Sequence, residues 1–375
     1  MEERKSRLEN LEIMNELRKT YFGKRVFVTG HTGFKGSWLI KILNDFGAIV
    51  KGYALAPGNE TNLFSEINGD VLCESVIGDL RDRMYLKKAL LNFQPDYVFH
   101  LAAQPLVRLS YEIPSETFEV NAIGTANLLD AIRALEKKCN ILLITTDKVY
   151  YNNEWEYPYR ETDKLGGYDP YSASKACCEL LIDSYKKSFF NLLKYEQHKK
   201  AITVCRAGNV IGGGDWSKDR IIPDIIRAIY SNEEILIRNP NSIRPWQHVL
   251  EPLVGYLKLG SLLNSDPYKY SGAWNLGPQL SDNLNVLSIA QMAVSILKKG
   301  KIRIVEDRQN HHEANLLKLD ISKITSETDW RPRMNTEDAI SLTVNWYKAF
   351  YEKNIPASQI LYSDIDYYFR LLNEK

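Results

Sequence analysis

Tyr171 and Lys175 stand four residues apart in the stretch DPYSASK. On a helix that spacing puts both side chains on one face, and Pro170 suits a first helical turn. An ammonium beside a phenol favours the tyrosinate and draws its pKa down from about 10. A phenol lowered in this way can take a proton from a hydroxyl while hydride leaves the carbon that bears it. Tyr-x-x-x-Lys is common by chance, so the pair carries weight only in company. Here the apolar run NILLITT (140–146) ends in two hydroxyls, and an acid and a base follow, Asp147 and Lys148. Such a run reads as a buried strand whose mouth opens onto Thr146, Asp147 and Lys148.

These residues need a frame. From Lys24 onward, short apolar runs alternate with amphipathic stretches. RVFVTG (25–30), AIVKGYAL (48–55), DYVFHLAA (96–103) and NILLITT read as strands, and ITVCRAGNVIGG starts another at Ile202. GSWLIKILNDFG, DRMYLKKALLNF and TFEVNAIGTANLLDAIRALEKK read as the helices between them. This βαβα order predicts an α/β fold with a doubly wound parallel Rossmann sheet. After Gly214 the pattern is mixed, with short strands such as EILIRN (234–239) and helices such as VLSIAQMAVSILKK (286–299). The expected division is an N-terminal extension at 1–22, a mainly dinucleotide-binding part at 23–214, and a smaller C-terminal substrate-binding lobe at 215–375.

Directly after the first strand comes GHTGFKG, with Gly30, Gly33 and Gly36. Glycines allow a tight turn and a close approach of a pyrophosphate, and the following helix aims its free N–H groups at that anion. The spacing is Gly-x-x-Gly-x-x-Gly, which points towards the short-chain dehydrogenase/reductases. The second strand runs GYALAPGNE, without an acid for the ribose of NAD and without an arginine for a 2′-phosphate. Lys35 and Lys51 are the close cations, and NAD is the expected cofactor over NADP. In GDLRD (78–82), Asp79 and Leu80 are expected beside the adenine, with helix capping as the structural role for Asp79.

The bulk numbers narrow the classes. The 375 residues include 48 basic and 47 acidic ones, for a net charge of +1. That balance gives no footprint for nucleic acid or an anionic membrane. No apolar run approaches the roughly 20 residues of a membrane span. The cysteines at 73, 139, 177, 178 and 205 have neither a disulfide framework nor metal-ligand spacing, and a cytoplasmic protein is expected. In HHEA (311–314) the adjacent histidines lack helical ligand spacing, so no metal is expected.

The strings GKRVFVTGHTGFKGSWL, HLAAQPLVRLSYEIP, TTDKVYYNNEW, GGYDPYSASK, CRAGNVIGGGDWSKDRIIPD and RNPNSIRPWQHVLEPL carry a specific likeness. On them the chain resembles the extended short-chain dehydrogenase/reductases that act on nucleotide sugars, and among these the 4,6-dehydratases of CDP-glucose. The resemblance spans about residues 23–349. It implies a tightly held NAD bound by Gly30, Thr32, Gly33, Phe34, Lys35, Gly36, Asp79, Leu80, Leu101, Ala102, Ala103, Tyr171 and Lys175. It implies CDP-glucose or a close nucleotide-hexose as substrate. Gln104, Arg108, Asn121, Asn209, Arg220, Arg244 and His248 are the expected substrate contacts, with Trp216 and Lys218 as weaker candidates; Asn121, which matches an active-site asparagine of the wider group, also has a structural reading, holding its helix open for water near the chemistry. It also implies a homodimer, with a tetramer left open.

Related epimerases carry only small or hydroxyl residues after the strand-end Ser/Thr. A 4,6-dehydratase must also remove water across C5 and C6, which takes an acid for the departing 6-hydroxyl and a base for the C5 proton. The resemblance gives Thr146 to the 4-hydroxyl, Tyr171 to its proton, Lys148 to the C5 proton and Asp147 to the 6-hydroxyl. Lys148 as a positioning cation stays open. So do an epimerase or decarboxylase of the same group and a non-catalytic Rossmann binding protein.

Overall fold

The computed structural model describes residues 12–58, 60–280, 282, 284–305 and 317–372. Seven strands make the central sheet: β1 (Arg25–Thr29), β2 (Ile49–Ala54), β3 (Glu74–Ile77), β4 (Tyr97–His100), β5 (Cys139–Ile144), β6 (Lys200–Ala207) and β7 (Gly272–Leu276). Their order is β7-β6-β5-β4-β1-β2-β3, and every neighbouring pair is parallel. The chain builds from β1 towards one edge, then returns to the other side of β1 with β4. The loops after β1 and β4 therefore leave in opposite directions, and a crevice opens between them.

Strand alternation sends side chains into two cores. Val26 and Val28 of β1 and Leu142 and Ile144 of β5 enter one; Phe27, Ile141 and Leu143 enter the other. The first core is covered by α1 (Glu12–Tyr21), α2 (Phe34–Asp45) and α6 (Leu250–Ser265). The second is covered by α3 (Arg83–Phe93), α4 (Gly124–Arg133) and α5 (Pro170–Ser188). Beyond β6, three small ribbons pair 210–211 with 247–248, 243–244 with 284–285, and 234–237 with 301–304.

Several elements differ from the sequence expectation. The strands β3 and β7 lie outside the runs that the sequence pattern marks as strands. β3 is an edge strand with little burial, so its apolar pattern is weak. β7 joins the sheet from beyond residue 214, and α6 also packs on β5 and β6, so the sheet layer draws on both halves of the chain. The described part of the N-terminal extension belongs to the core. Leu17 and Tyr21 are fully buried, and the Tyr21 hydroxyl donates to the Leu257 carbonyl at 2.8 Å. The long helix expected over 117–138 is present from Pro114 to Arg133, and it carries a π turn (Glu119–Ile123) just before α4.

The last described helix, α7 (Ala357–Leu371), docks through Tyr368, whose hydroxyl donates to Glu251 of α6. One turn earlier, Asp364 is buried, and burial pushes its carboxyl pKa up from 3.8 to about 8. The folded state therefore favours the neutral acid. That contribution is fully present below about pH 4 and is lost as pH rises through 8. Asp364→Asn should gain thermal stability relative to wild type as pH is raised across this window. Melting temperatures whose difference stays constant from pH 4 to 8 would contradict this assignment.

Candidate active site

A cleft of about 830 Å³ lies along the carboxyl ends of β1, β4, β5 and β6 and continues along the chain after Gly214. Its first wall is the glycine turn. Gly30 has φ +77°, and a Cβ there would sit 2.7 Å from the Ala102 nitrogen, so the turns after β1 and β4 touch backbone to backbone. A Cβ on Gly36 would meet the Gly30 oxygen at 2.0 Å. Gly33 is the N-cap of α2 and has no side chain to close the helix end. Lys35 stands in the same turn, where burial, then Arg220 and Lys175, pull its pKa down to about 7. An uncapped helix start with a cation pressed towards neutrality suits a pyrophosphate.

Every expected cofactor residue lines this cleft: Gly30, Thr32, Gly33, Phe34, Lys35, Gly36, Asp79, Leu80, Leu101, Ala102, Ala103, Tyr171 and Lys175. Asp79 does not cap the following helix. Asp82 does, accepting from the Tyr85 N–H, while Asp79 accepts from the backbone and guanidinium of Arg81. Leu80 is held by Asn127, whose amide donates to its carbonyl at 3.0 Å. Lys51 is turned away from the cleft, paired with Glu74 at 2.7 Å.

The expected reacting groups meet where β5 ends. Thr146 caps a single 3₁₀ turn, Asp147–Val149. Its hydroxyl donates to Asp147 Oδ1 at 2.8 Å, and Asn209 Nδ2 donates to Asp147 Oδ2 at 3.2 Å. Lys148 lines the cleft beside them. Across from this turn α5 begins. Asp169 caps it by accepting from Ser172 N–H, Pro170 takes the first position, and the Tyr171 N–H donates to Ser110 Oγ.

One expectation fails. Lys175 does not draw the Tyr171 phenol down. Its ammonium donates to the Ile144 carbonyl at 3.2 Å, and burial lowers its own pKa. Burial pushes the phenol up to about 12, against the hydrogen bond with Thr146 and the charge of Arg220. Desolvation of a buried phenol outweighs its favourable neighbours in the ligand-free site.

Of the expected substrate contacts, Arg108, Asn209, Arg220 and Arg244 line the cleft. Arg220 also pairs with buried Asp215 at 2.8 Å. Arg108 and Arg238 flank Asp219 at 3.8 and 3.7 Å. Arg238, which the sequence did not single out, shares the cleft wall.

As substrate contacts, Gln104, Asn121 and His248 are corrections: all three are buried and none lines the cleft, which leaves Asn121 its structural reading. Gln104 folds back on Leu106 and Thr117. Asn121 clips Gln104 to Ser174 of α5, and its carbonyl, opened by the π turn, accepts from Thr125 and Cys178. His248 packs edge-on against Trp38, and burial presses its pKa down to about 3. Trp216 belongs to an aromatic cluster with Trp346, Tyr347 and Phe350, and Lys218 pairs with Glu60. His311 to Ala314 lie outside the described residues, and among the described residues no cluster suits a metal.

The switch-point crevice, the glycine turn and the Tyr–Lys helix define a Rossmann-type enzyme of the short-chain dehydrogenase/reductase class. A family profile described as GDP-mannose 4,6 dehydratase matches residues 27–343. The CDP-glucose 4,6-dehydratase of Salmonella typhimurium is 48% identical over 328 residues, covering 88% of this chain and 91% of that relative. The CDP-paratose 2-epimerase of Salmonella typhi is 26% identical over 343 residues, covering 86% and 98%. Among solved structures, the UDP-glucose 4-epimerase of Thermotoga maritima with UDP-glucose superposes with a TM-score of 0.74 at 21% identity, over 88% of this chain and 100% of that one. The dTDP-glucose 4,6-dehydratase of Streptomyces venezuelae with NAD bound gives 0.72 at 22% identity, over 88% and 99%. These structures share the fold. The chain belongs to the GDP-mannose 4,6-dehydratase family.

A residue that the motifs did not mark is Gly208. A Cβ there would lie 2.0 Å from the Asp147 carboxyl. Gly208→Ala must therefore displace Asp147, and a misplacement of about 1 Å costs on the order of 100-fold in turnover. The expected outcome is that loss with a folded protein by circular dichroism. Wild-type turnover would show that Asp147 does not need its observed position.

Proposed function

We propose that this chain is a CDP-glucose 4,6-dehydratase that yields CDP-4-dehydro-6-deoxyglucose. The observation that carries the proposal is the Asp147–Lys148 pair in the cleft beside Thr146 and Tyr171. It is supported by the 48% identity to the Salmonella enzyme. Gly30, Gly33 and Gly36 at the glycine-turn end of the cleft would hold NAD, which would supply a hydride acceptor for C4 and a hydride donor for C6.

The residues divide the proton work. Thr146 holds the 4-hydroxyl, and Tyr171 takes its proton as the 4-ketone forms. The ketone acidifies C5–H, which Lys148 removes as a neutral amine. The C6–O bond breaks while Asp147, in its acid form, protonates the leaving hydroxyl, so one water departs and a C5–C6 double bond remains. As C6 is reduced, Lys148 returns its proton to C5. Arg220, Arg244 and Arg108 are the guanidinium forks for the substrate diphosphate. We place the nucleotide mainly against the lobe after Gly214. We also take the enzyme as cytoplasmic and homodimeric. Pairing is supported by the exposed Ile123 and Leu180 on the helical layer of the second core.

The purified protein is expected to convert CDP-glucose to a product lighter by one water in mass spectrometry. Loss of water from another nucleotide-glucose and none from CDP-glucose would overturn the substrate. In D₂O the product should carry deuterium at C5. Lys148→Ala should lower turnover on the order of 100-fold or more, in the range of a lost general base. Normal turnover in that variant would leave Lys148 only a positioning cation.

A further inference from the structure

The turn that carries Asp147 and Lys148 is weakly held by its own backbone. Val149 N–H reaches the Thr146 carbonyl at 3.5 Å and Tyr150 N–H reaches the Asp147 carbonyl at 3.4 Å. Lys148 N–H reaches Thr146 Oγ1 at 3.4 Å. Hydrogen bonds of that length restrain little. Something outside the turn must fix it.

Both ends of the turn run into one buried ion pair. At the entry, the Thr145 hydroxyl donates to Glu179 Oε1 at 2.7 Å. Glu179 lies one helical turn beyond Lys175 on α5, and Arg206 of β6 grips it through Nε at 2.8 and 3.0 Å and through Nη2. Both charged side chains are 4% exposed. At the exit, Arg206 Nη1 donates to the Tyr150 hydroxyl at 2.7 Å, and the guanidinium lies 4.9 Å from the centre of that ring. Tyr150 in turn donates to Asn275 of β7 at 2.7 Å. One guanidinium–carboxylate pair thus ties the residue before Thr146 to the residue after Val149.

We infer that Glu179 and Arg206 are positioning residues for the elimination step. They hold the Asp147–Lys148 turn at a set distance from Tyr171, which shares α5 with Glu179. This rests on the dehydratase reading above. A buried pair with every strong donor and acceptor engaged has one preferred geometry, and breaking one link leaves a buried group without its partner. Oxidation at C4 uses Thr146 and Tyr171, and Tyr171 is anchored independently by its helix. Proton removal from C5 and loss of the 6-hydroxyl use the turn itself. Loosening the clamp therefore slows dehydration more than oxidation.

Thr145→Val and Tyr150→Phe each cut one link and leave the ion pair intact. In both variants, amide hydrogen exchange at 147–150 should quicken by roughly tenfold, the worth of about one buried hydrogen bond. With CDP-glucose, the reduced nicotinamide should accumulate by its near-ultraviolet absorbance while kcat for water loss falls about tenfold at nearly unchanged KM. Thr145→Ser keeps the hydroxyl and should restore both readouts. Unchanged exchange in both variants overturns the clamp. Equal slowing of oxidation and dehydration, or turnover per folded molecule within about twofold of wild type, overturns its role in elimination. If the unaltered protein releases no water from CDP-glucose, the proposed function fails, and exchange alone then decides the clamp.

Discussion

Asp147 is an acid at the end of a fully buried strand, only 2% exposed, and much of the surrounding geometry answers to it. A buried carboxyl needs hydrogen-bond partners. Thr146 and Asn209 supply them from two different strand ends. Its bulk also has to fit, which is why residue 208 has no side chain. The segment after β6 is thus shaped around an acid that belongs to β5. Asn209 itself adopts φ +51°, a left-handed conformation in which asparagine is tolerated better than most residues, and this aims its amide back at the acid.

The charges around that acid are graded by burial rather than by count. Lys35, Lys175, Arg220 and the Tyr171 phenol share one partly dry volume. Desolvation holds the two lysines below their ordinary pKa and the phenol above its own. The lysines and the phenol are therefore displaced towards neutrality, whereas Asp215 holds Arg220 charged, and a dianionic diphosphate or pyrophosphate entering the cleft meets donors that gain from its charge. A site arranged this way favours an anionic, nucleotide-bearing ligand over a neutral sugar.

Much of the chemistry was legible in short strings because it is local. The glycine turn, the Tyr–Lys spacing and the strand ending in Thr146-Asp147-Lys148 each lie within a few residues, and side-chain periodicity announces their elements. Asp79 shows where local reading falters: two acids three residues apart both fit a helix cap, and only the backbone path assigned the cap to Asp82. Gln104, Asn121 and His248 show the same limit. Their polar side chains suggested ligand contact, but each is spent inside the protein on backbone, helix or ring packing. Glu179 does carry a signal in the sequence, since it stands four residues beyond Lys175 on the same helix.

By itself, the amino-acid sequence determined the alternating fold, the glycine turn and the candidate reacting residues, because these depend on patterns of neighbours along the chain. Tertiary structure alone decided what lies far apart in sequence. It brought β7 into the sheet, set Gly208 under Asp147, joined Thr145 to Tyr150 through Glu179 and Arg206, and buried the Tyr171 phenol so deeply that desolvation raises its pKa. The physical reason is common to all four. Non-local pairing, excluded volume and desolvation depend on which groups share a small volume in space, and spacing along the chain does not encode that.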